Sequence, residues 1–375
     1  MRFFSLLRPS IFLFATTIGI CGVTNVELFH QWDRNQDNLL IQSELPPSIQ
    51  KNFNRVDVNQ DKTISLKEHL QFLSKKTKDT KSKNDSESIN STILLDLPYA
   101  SSKNPRQKLD LILPKNRDTK NPPPLVVWIH GGGWKSGNKK TGHSPNRIPA
   151  LAKTGRYAGA TIGYRLSGES IWPAQIHDCK AAIRWLRANA GKFGYDPTRI
   201  ALWGSSAGGH LVSMLGTTGN NKELEGTVGN HLDQSSHVQA VVNYYGPSAL
   251  LQMNDHPSKI DHNAPGSPES QLIGAPIQQS KKKARQASPL HHVTADDAPM
   301  IHFHGTDDPL VPAHQSNLFN RALKDKGVPS TLITLRGGGH SMPSTFTQSK
   351  VIPFLDFILY QKGTPLSDQT IPLNN

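Results

Sequence analysis

The chain contains little cysteine, and this scarcity limits how it can be stabilised. Two cysteines occur among 375 residues, and one of them, Cys21, lies in the N-terminal segment. A chain cleaved near that residue keeps Cys179 alone, so a disulfide within the mature chain is excluded. Packing, with or without a bound metal, must then supply the stability.

Long apolar runs are also missing. Beyond the first 22 residues nothing approaches the ~20 consecutive apolar residues that a membrane helix needs, so we expect no stable membrane span. The N-terminal segment begins with Arg2 and Arg8, continues through the apolar stretch Ile11–Ile20 and ends in small residues. This pattern predicts a signal peptide over residues 1–22 and export to the periplasm or the exterior. An uncleaved anchor is the alternative, and Ile20 before Cys21 disfavours a lipid anchor.

Acidic residues are outnumbered by basic ones. The chain has 42 Lys plus Arg against 29 Asp plus Glu, a formal net charge of +13. Such a balance can attract nucleic acid or membrane surfaces. The positive charge is nevertheless divided between a lysine-rich stretch at residues 75–83 and a separate run at residues 281–285, and neither contains interleaved aromatic residues. We therefore expect no nucleic-acid partner.

Composition divides the chain into a signal peptide (1–22), a small module (25–73), a polar linker (74–92), a long domain (93–365) and a C-terminal tail (366–375). Ile89 is the only aliphatic residue between Ser74 and Asn90, so the linker cannot bury enough apolar surface to fold. The long domain alternates apolar runs with helical patterns, which predicts an α/β fold whose mostly parallel sheet is flanked by helices. The predicted strands are Leu125–Ile129, Ala158–Ile162, Ile200–Trp203, Val238–Tyr244, Met300–Phe303 and Thr331–Leu335, and the clearest helix is Ala174–Ala190.

The small module contains an internal repeat. Asp33-Arg34-Asn35-Gln36-Asp37 and Asp57-Val58-Asn59-Gln60-Asp61 each open a twelve-residue loop that ends in glutamate. Oxygen ligands at positions 1, 3, 5, 7, 9 and 12 are those that Ca²⁺ takes in such a loop. The repeat therefore resembles a pair of EF-hands in a small all-α module. The predicted calcium ligands are Asp33, Asn35, Asp37, Leu39 and Glu44 in the first loop, and Asp57, Asn59, Asp61, Thr63, Ser65 and Glu68 in the second.

Both loops depart from the EF-hand pattern at position 6. Asn38 and Lys62 stand there instead of the glycine that takes a positive φ. Because asparagine tolerates that conformation better than lysine, we expect weaker binding at the second loop. A dockerin-type module and a metal-free pair of acidic turns are the alternatives, and the glutamate at position 12 disfavours the dockerin. A structural role for calcium is favoured over a regulatory one.

A serine flanked by glycines lies between a predicted strand and a helical pattern. The sequence Gly204-Ser205-Ser206-Ala207-Gly208 is a weak signal alone, but its strand-turn-helix setting is that of a nucleophile elbow. Ser206 is therefore the predicted nucleophile. The loop His130-Gly131-Gly132-Gly133-Trp134 follows the first strong strand, so we expect oxyanion donors at the backbone N–H groups of Gly132, Gly133 and Ala207.

A serine nucleophile needs a base, and the base needs an orienting group. His340 follows the last predicted strand and is the predicted base, while Asp308, with Asp307 as the alternative, is the predicted acid. The order Ser, Asp, His is the one that α/β-hydrolases use. His302 and His304 alternate on one strand, but no further ligand completes a zinc spacing. Catalysis is therefore expected to need no cofactor.

Together these motifs resemble the HGGGW-type α/β-hydrolase esterases related to hormone-sensitive lipase and to bacterial feruloyl and acetylxylan esterases. The resemblance runs from Tyr99 through most of the long domain and includes Tyr164-Arg165-Leu166-Ser167, Asp196-Pro197-Thr198-Arg199-Ile200 and the HGxxDxxVP stretch. It implies a triad of Ser206, Asp308 and His340. Ser205 departs from the pattern, because many relatives have aspartate before the nucleophile.

The resemblance also implies a substrate. Its carbohydrate-esterase branch acts on acetyl or feruloyl esters of hemicellulose, so the expected partner is a small-molecule or polysaccharide-linked ester. A peptidase similar to prolyl oligopeptidases is a second possibility, which the HGGGW loop disfavours. A calcium-dependent binding protein on an inactive hydrolase scaffold is a third, which the complete triad disfavours.

Overall fold

A computed structural model describes residues 25–73, 91–118 and 120–373. The predicted signal peptide and residues 74–90 of the predicted linker lie outside the described residues. The chain divides into two units, residues 1–89 and residues 90–375. The division falls within the predicted linker.

The small unit consists of short helices around two paired loops. Strands β1 and β2 pair antiparallel, with Leu40 opposite Ile64. Both side chains are buried with those of Phe29, Phe53 and other apolar residues, so the loops are joined through a small core. The elements are α1 (Asn25–Trp32), β1 (Leu39–Leu40), a 3-10 turn (Gln42–Glu44), α2 (Pro47–Gln50), α3 (Phe53–Val56), β2 (Ile64–Ser65) and a helix, α4, over residues 66–73.

The large unit is built on a nine-stranded sheet. Its strands are β3 (Ser91–Pro98), β4 (Lys108–Pro114), β5 (Pro124–Ile129), β6 (Ala158–Ile162), β7 (Asp196–Ser205), β8 (Ala240–Tyr244), β9 (Met300–Gly305), β10 (Ser330–Arg336) and β11 (Gln369–Pro372). They lie in the order β11-β10-β9-β8-β7-β5-β6-β4-β3. β4 pairs antiparallel with β3 and β6, and every other pairing is parallel.

Helices cover both faces of this sheet. They are α5 (Ile148–Lys153), α6 (Ala174–Ala188), α7 (Ala190–Phe193), α8 (Ala207–Thr217), α9 (Pro268–Ile273), α10 (Lys281–Gln286), α11 (His314–Asp325) and α12 (Ile352–Tyr360). Strand β5 shows why both faces are covered, because all of its side chains are apolar and buried. Its alternating residues enter different cores: Val127 packs in one cluster and Trp128 in the other.

The predicted α/β fold is confirmed, and two edges of the sheet correct the expected boundaries. Residues 366–375 were expected to be a tail, yet Gln369–Pro372 pairs parallel with β10. The expected linker end at residue 92 falls inside β3, which begins at Ser91. The edge strand β3 and its antiparallel neighbour β4 were not predicted. None of the described helices combines the length and apolarity needed to cross a bilayer.

Candidate active site

Ser206 occupies a strained turn between β7 and α8. Its backbone has φ 55° and ψ −124°, a conformation that non-glycine residues rarely adopt. The flanking glycines are required by space: a Cβ on Gly204 would lie 2.4 Å from the Gly208 carbonyl oxygen, and one on Gly208 would lie 2.1 Å from that of Ile129. Ser206 is partly exposed although its neighbours in β7 and α8 are buried. The backbone therefore has the geometry of the predicted elbow, and Ser206 is accessible from solvent.

Asp308 and His340 meet at the carboxyl end of the sheet. His340 Nδ1 lies 2.7 Å from Asp308 Oδ2. The other carboxylate oxygen of Asp308 accepts the backbone N–H groups of Leu310 and Val311 at 2.9 and 3.0 Å. Asp308 is 5% exposed. Its neighbour Asp307 is exposed, so the geometry favours Asp308 as the partner of His340.

A second histidine also contacts this carboxylate. His304 Nε2 lies 3.3 Å from Asp308 Oδ2 and 2.8 Å from the Val311 carbonyl oxygen, while Nδ1 lies 2.7 Å from Ser316 Oγ. Burial by itself would raise the pKa of Asp308, but hydrogen bonds from His304 and His340 outweigh it and hold that pKa well below its usual range. Asp308 is therefore ionised at neutral pH. The sequence analysis interprets His304 only as a possible metal ligand, so this contact with Asp308 was not predicted.

Tyr245 is another neighbour of the base that the sequence did not single out. It directly follows β8, and its ring packs against that of His340 with centroids 4.3 Å apart. Its backbone N–H donates to the Phe303 carbonyl oxygen at 2.8 Å, and the adjacent Tyr244 carbonyl oxygen accepts the Ser206 N–H at 2.9 Å. The end of β8 therefore contacts both the nucleophile turn and the ring of the base.

The glycine loop after β5 lies directly beside the nucleophile turn. A Cβ on Gly131 would lie 2.7 Å from the Ser205 carbonyl oxygen and 3.2 Å from Ser206 Cβ. Gly132 and Gly133 both have positive φ, 111° and 58°. Such backbone is open to glycine and strained for other residues, so the loop can bring its N–H groups close to a bound carbonyl.

Aromatic contacts hold this loop on both sides. The ring of His130 stacks on Tyr164 at 4.2 Å, and the Tyr164 hydroxyl donates to the His130 carbonyl oxygen at 2.9 Å. Trp134 Nε1 donates to His210 Nδ1 at 3.1 Å, and His210 Nε2 donates to the Ala287 carbonyl oxygen at 2.6 Å. Burial lowers the pKa of His210 to about 4, which is consistent with the neutral ring that these two hydrogen bonds require.

A buried carboxylate anchors the far end of the loop. Asp110 on β4 is fully buried and accepts from Lys139 Nζ at 2.6 Å and from His143 Nε2 at 2.9 Å. Burial would raise the pKa of Asp110, but the hydrogen bonds from His143 and Lys139 lower it to about 2. Arg106 Nη1 also donates to the Gly137 carbonyl oxygen at 2.7 Å. An aspartate between Leu109 and Leu111 was the available sequence signal for this anchor.

In the small unit, the two predicted calcium loops share one hydrogen-bond pattern. In each loop the aspartate at position 1 accepts the N–H groups of positions 5 and 6, and the glutamate at position 12 accepts those of positions 2 and 9. Asn38 and Lys62 at position 6 both take positive φ, 65° and 68°. Both loops therefore adopt the turn that usually requires glycine.

The donor chemistry of these loops suits a hard cation. Each loop carries carboxylate, amide and carbonyl oxygens, which are the ligands that Ca²⁺ prefers. In the described part of the chain, however, no three His, Cys, Asp or Glu side chains converge as a metal-binding group. The carboxylates of Glu44 and Glu68 instead bond loop N–H groups with both oxygens. The backbone and the donor types fit calcium.

Comparison with known proteins identifies the large unit. A family model described as BD-FAE matches residues 109–323, more than half of the chain. The protein belongs to the BD-FAE family. This match covers the sheet from β4 to β9 together with the elbow and Asp308, whereas His340 lies beyond it.

Curated relatives of this BD-FAE chain include esterases. It is 32% identical to the probable carboxylic ester hydrolase LipM of Mycobacterium tuberculosis over 56% of this chain and 47% of LipM, and 32% identical to esterase LipC of the same organism over 63% and 57%. The chain thus spans about half the length of these curated relatives. The solved structure of a truncated carbohydrate esterase from gut microbiota is 34% identical, with a TM-score of 0.66, over 73% of this chain and 98% of that one.

Proposed function

We propose that the protein is an exported serine carboxylesterase. The observation that carries the proposal is the buried Asp308 bonded to His340 in the same unit as the strained Ser206 turn. A histidine that a carboxylate orients in this way can activate a serine nucleophile, which supports the proposal. The esterase names of the relatives support the same reaction class.

The reaction has two halves. Ser206 Oγ attacks the ester carbonyl carbon while His340 Nε2 takes its proton, and Asp308 stabilises the resulting imidazolium. The carbonyl oxygen becomes an oxyanion, which the N–H groups of Gly132, Gly133 and Ala207 stabilise, each contributing about 3 kcal/mol. The C–O bond to the alcohol then breaks, and the alcohol leaves with the proton from His340. Water, deprotonated by His340, hydrolyses the acyl-enzyme in the second half.

We propose acetyl or feruloyl esters of hemicellulose as the substrate class. The name of the gut carbohydrate esterase supports a carbohydrate-linked ester. A bifunctional GH43-CE protein of Bacteroides eggerthii is also similar, with 32% identity and a TM-score of 0.65 over 72% of this chain and 38% of that one. Export, proposed from residues 1–22, agrees with this class because polysaccharides are met outside the cell. Hydrolysis of acetylated xylan, methyl ferulate and a p-nitrophenyl ester series would separate the possible acyl groups.

We further propose that the small unit binds Ca²⁺ as a structural ion. The support is the shared backbone pattern of the two loops and their oxygen donors. Calcium would stabilise the small unit by binding its folded form in preference to the unfolded chain. Chelation should then lower the melting temperature more than it lowers turnover at saturating ester.

Serine substitutions test the esterase proposal. Ser206→Ala should abolish turnover of p-nitrophenyl acetate, since it removes the nucleophile. Ser205→Ala, one residue earlier in the same turn, is the matched control and should retain most of the activity. Equal losses in the two variants would overturn the assignment of the nucleophile.

A further inference from the structure

The segment between β8 and α10 contacts two loops of the site. We call residues 254–273 the strap. Near its start, Ser258 Oγ donates to the Pro309 carbonyl oxygen at 3.1 Å, and the Lys259 N–H donates to the same oxygen at 2.8 Å. Near its end, Pro268 packs against the glycine loop, where a Cβ on Gly133 would lie 3.5 Å from Pro268 Cβ. The strap therefore contacts the acid loop and the oxyanion loop.

A buried polar pair lies inside the strap. His262 and Glu269 are 1% and 2% exposed, and His262 Nδ1 lies 3.0 Å from Glu269 Oε2. This contact lies off the direction expected for a hydrogen bond, so it is a close approach of two buried polar atoms. On the other side of the ring, His262 Nε2 lies 3.2 Å from Ser258 Oγ. The mechanism proposed above uses none of these three side chains.

The connections form one chain that ends at the acid. Glu269 contacts His262, His262 contacts Ser258, and Ser258 holds the carbonyl oxygen of Pro309. Pro309 directly follows Asp308, whose Oδ1 accepts the N–H of the next residue, Leu310, at 2.9 Å. A shift of the Pro309 peptide would therefore move the carboxylate that orients His340.

We propose that Ser258, His262 and Glu269 are positioning residues that fix the acid loop and hence the Asp308–His340 contact. This inference rests on the proposed esterase function. The three residue types match those of a catalytic triad, but the Ser258 hydroxyl donates to a carbonyl oxygen and His262 is buried. They hold the loop rather than attack a substrate. Because small displacements of catalytic groups cost rate rather than binding, their effect falls on kcat.

Kinetics of Ser258→Ala and Glu269→Gln test this proposal with p-nitrophenyl acetate. We expect kcat to fall about tenfold while KM stays within about twofold, since the substrate contacts remain. The acid limb of the kcat/KM profile should move to lower pH, because a loosened Asp308 stabilises the imidazolium of His340 less. Ser258→Thr keeps the hydroxyl and should restore both properties.

Glu225→Gln is the matched control. It disrupts another ion pair, in which Nζ of the buried Lys180 lies 2.9 Å from Oε2 of the partly exposed Glu225, and this pair contacts none of the proposed catalytic residues. Glu225→Gln should lower the free energy of unfolding without moving the pH profile of kcat/KM. The positioning role would be overturned if Ser258→Ala left both kcat and the pH profile of kcat/KM unchanged. It would also be overturned if Glu225→Gln moved the acid limb of that profile by the same amount.

A spectroscopic measurement separates this proposal from the esterase proposal. The proton between His340 Nδ1 and Asp308 should give a low-field ¹H resonance, and this signal can be recorded without turnover. In Ser258→Ala it should shift upfield or broaden, and in Glu225→Gln it should stay in place. If Ser206→Ala keeps esterase activity, the esterase proposal fails, whereas an unmoved resonance in Ser258→Ala contradicts the positioning role alone.

Discussion

His340 and Asp308 are joined by a 2.7 Å contact between Nδ1 and Oδ2, and the adjacent Asp307 points elsewhere. The Oδ1 atom of Asp307 accepts the Thr306 hydroxyl at 2.7 Å, and its carboxylate is exposed. Asp308, in contrast, is buried and receives four contacts from two histidine rings and two backbone N–H groups. Two neighbouring carboxylates therefore have different surroundings.

Asp308→Asn and Asp307→Asn form a matched pair of variants. An amide at position 308 can donate to His340 and favour the wrong tautomer, so we expect kcat to fall by about 10⁴-fold. The same change at position 307 should leave kcat within about twofold, because that side chain does not contact His340. Steady-state hydrolysis of p-nitrophenyl acetate measures both. A larger loss at position 307 than at 308 would reverse the assignment of the acid.

The pH dependence of stability should report the buried histidines. Burial lowers the pKa of His130 and His210 to about 4 and that of His302 to about 3. Between pH 6.5 and pH 4 the unfolded chain therefore binds protons that the folded chain does not, so the free energy of unfolding falls as the pH falls. Each fully buried ring contributes a slope of about 1.4 kcal/mol per pH unit in that window.

His302→Gln isolates one of these contributions. At pH 8 the variant should be less stable than the wild type because its packing is altered. Between pH 6 and pH 4.5, the slope of its free energy of unfolding against pH should be smaller than that of the wild type by about 1.4 kcal/mol per pH unit. Urea unfolding at several pH values measures the slope. A slope equal to that of the wild type would show that His302 is protonated in the folded protein.

The elements that the sequence predicted are those whose pattern is local. The central strands are continuous apolar runs, and β6 was placed with its observed bounds, Ala158–Ile162. The elbow was identified because glycines flank Ser206 at fixed spacing. These signals depend on residues within one element, so they can be read without knowing its neighbours.

What the sequence did not predict depends on distant residues. The strand β11 lies in the predicted tail, and its hydrogen-bond partner β10 lies more than 30 residues earlier in the chain. The contact of His304 with Asp308 and the pairing of His262 with Glu269 likewise follow from how loops cross at the end of the sheet. Asp308 was preferred to Asp307 from the family resemblance alone, and the position of His340 is the long-range observation that favours it.

The two calcium loops allow a test that separates backbone strain from ligand chemistry. Lys62 takes φ 68° at position 6 of the second loop, and Asn38 takes φ 65° at the same position of the first. A left-handed conformation costs an ordinary side chain about 1–2 kcal/mol, and asparagine less, because its short polar side chain tolerates it.

Lys62→Gly should therefore strengthen calcium binding at the second loop by about tenfold, and Asn38→Gly should strengthen binding at the first loop by a smaller factor. Removing the lysine charge acts in the same direction, so Lys62→Gln serves as the control for charge alone. Glu68→Gln removes a carboxylate from the second loop and should weaken calcium binding there. Calorimetric titration with calcium measures the affinity of all four variants. If the wild-type protein shows no binding heat and no calcium-dependent rise in melting temperature, the calcium proposal is contradicted.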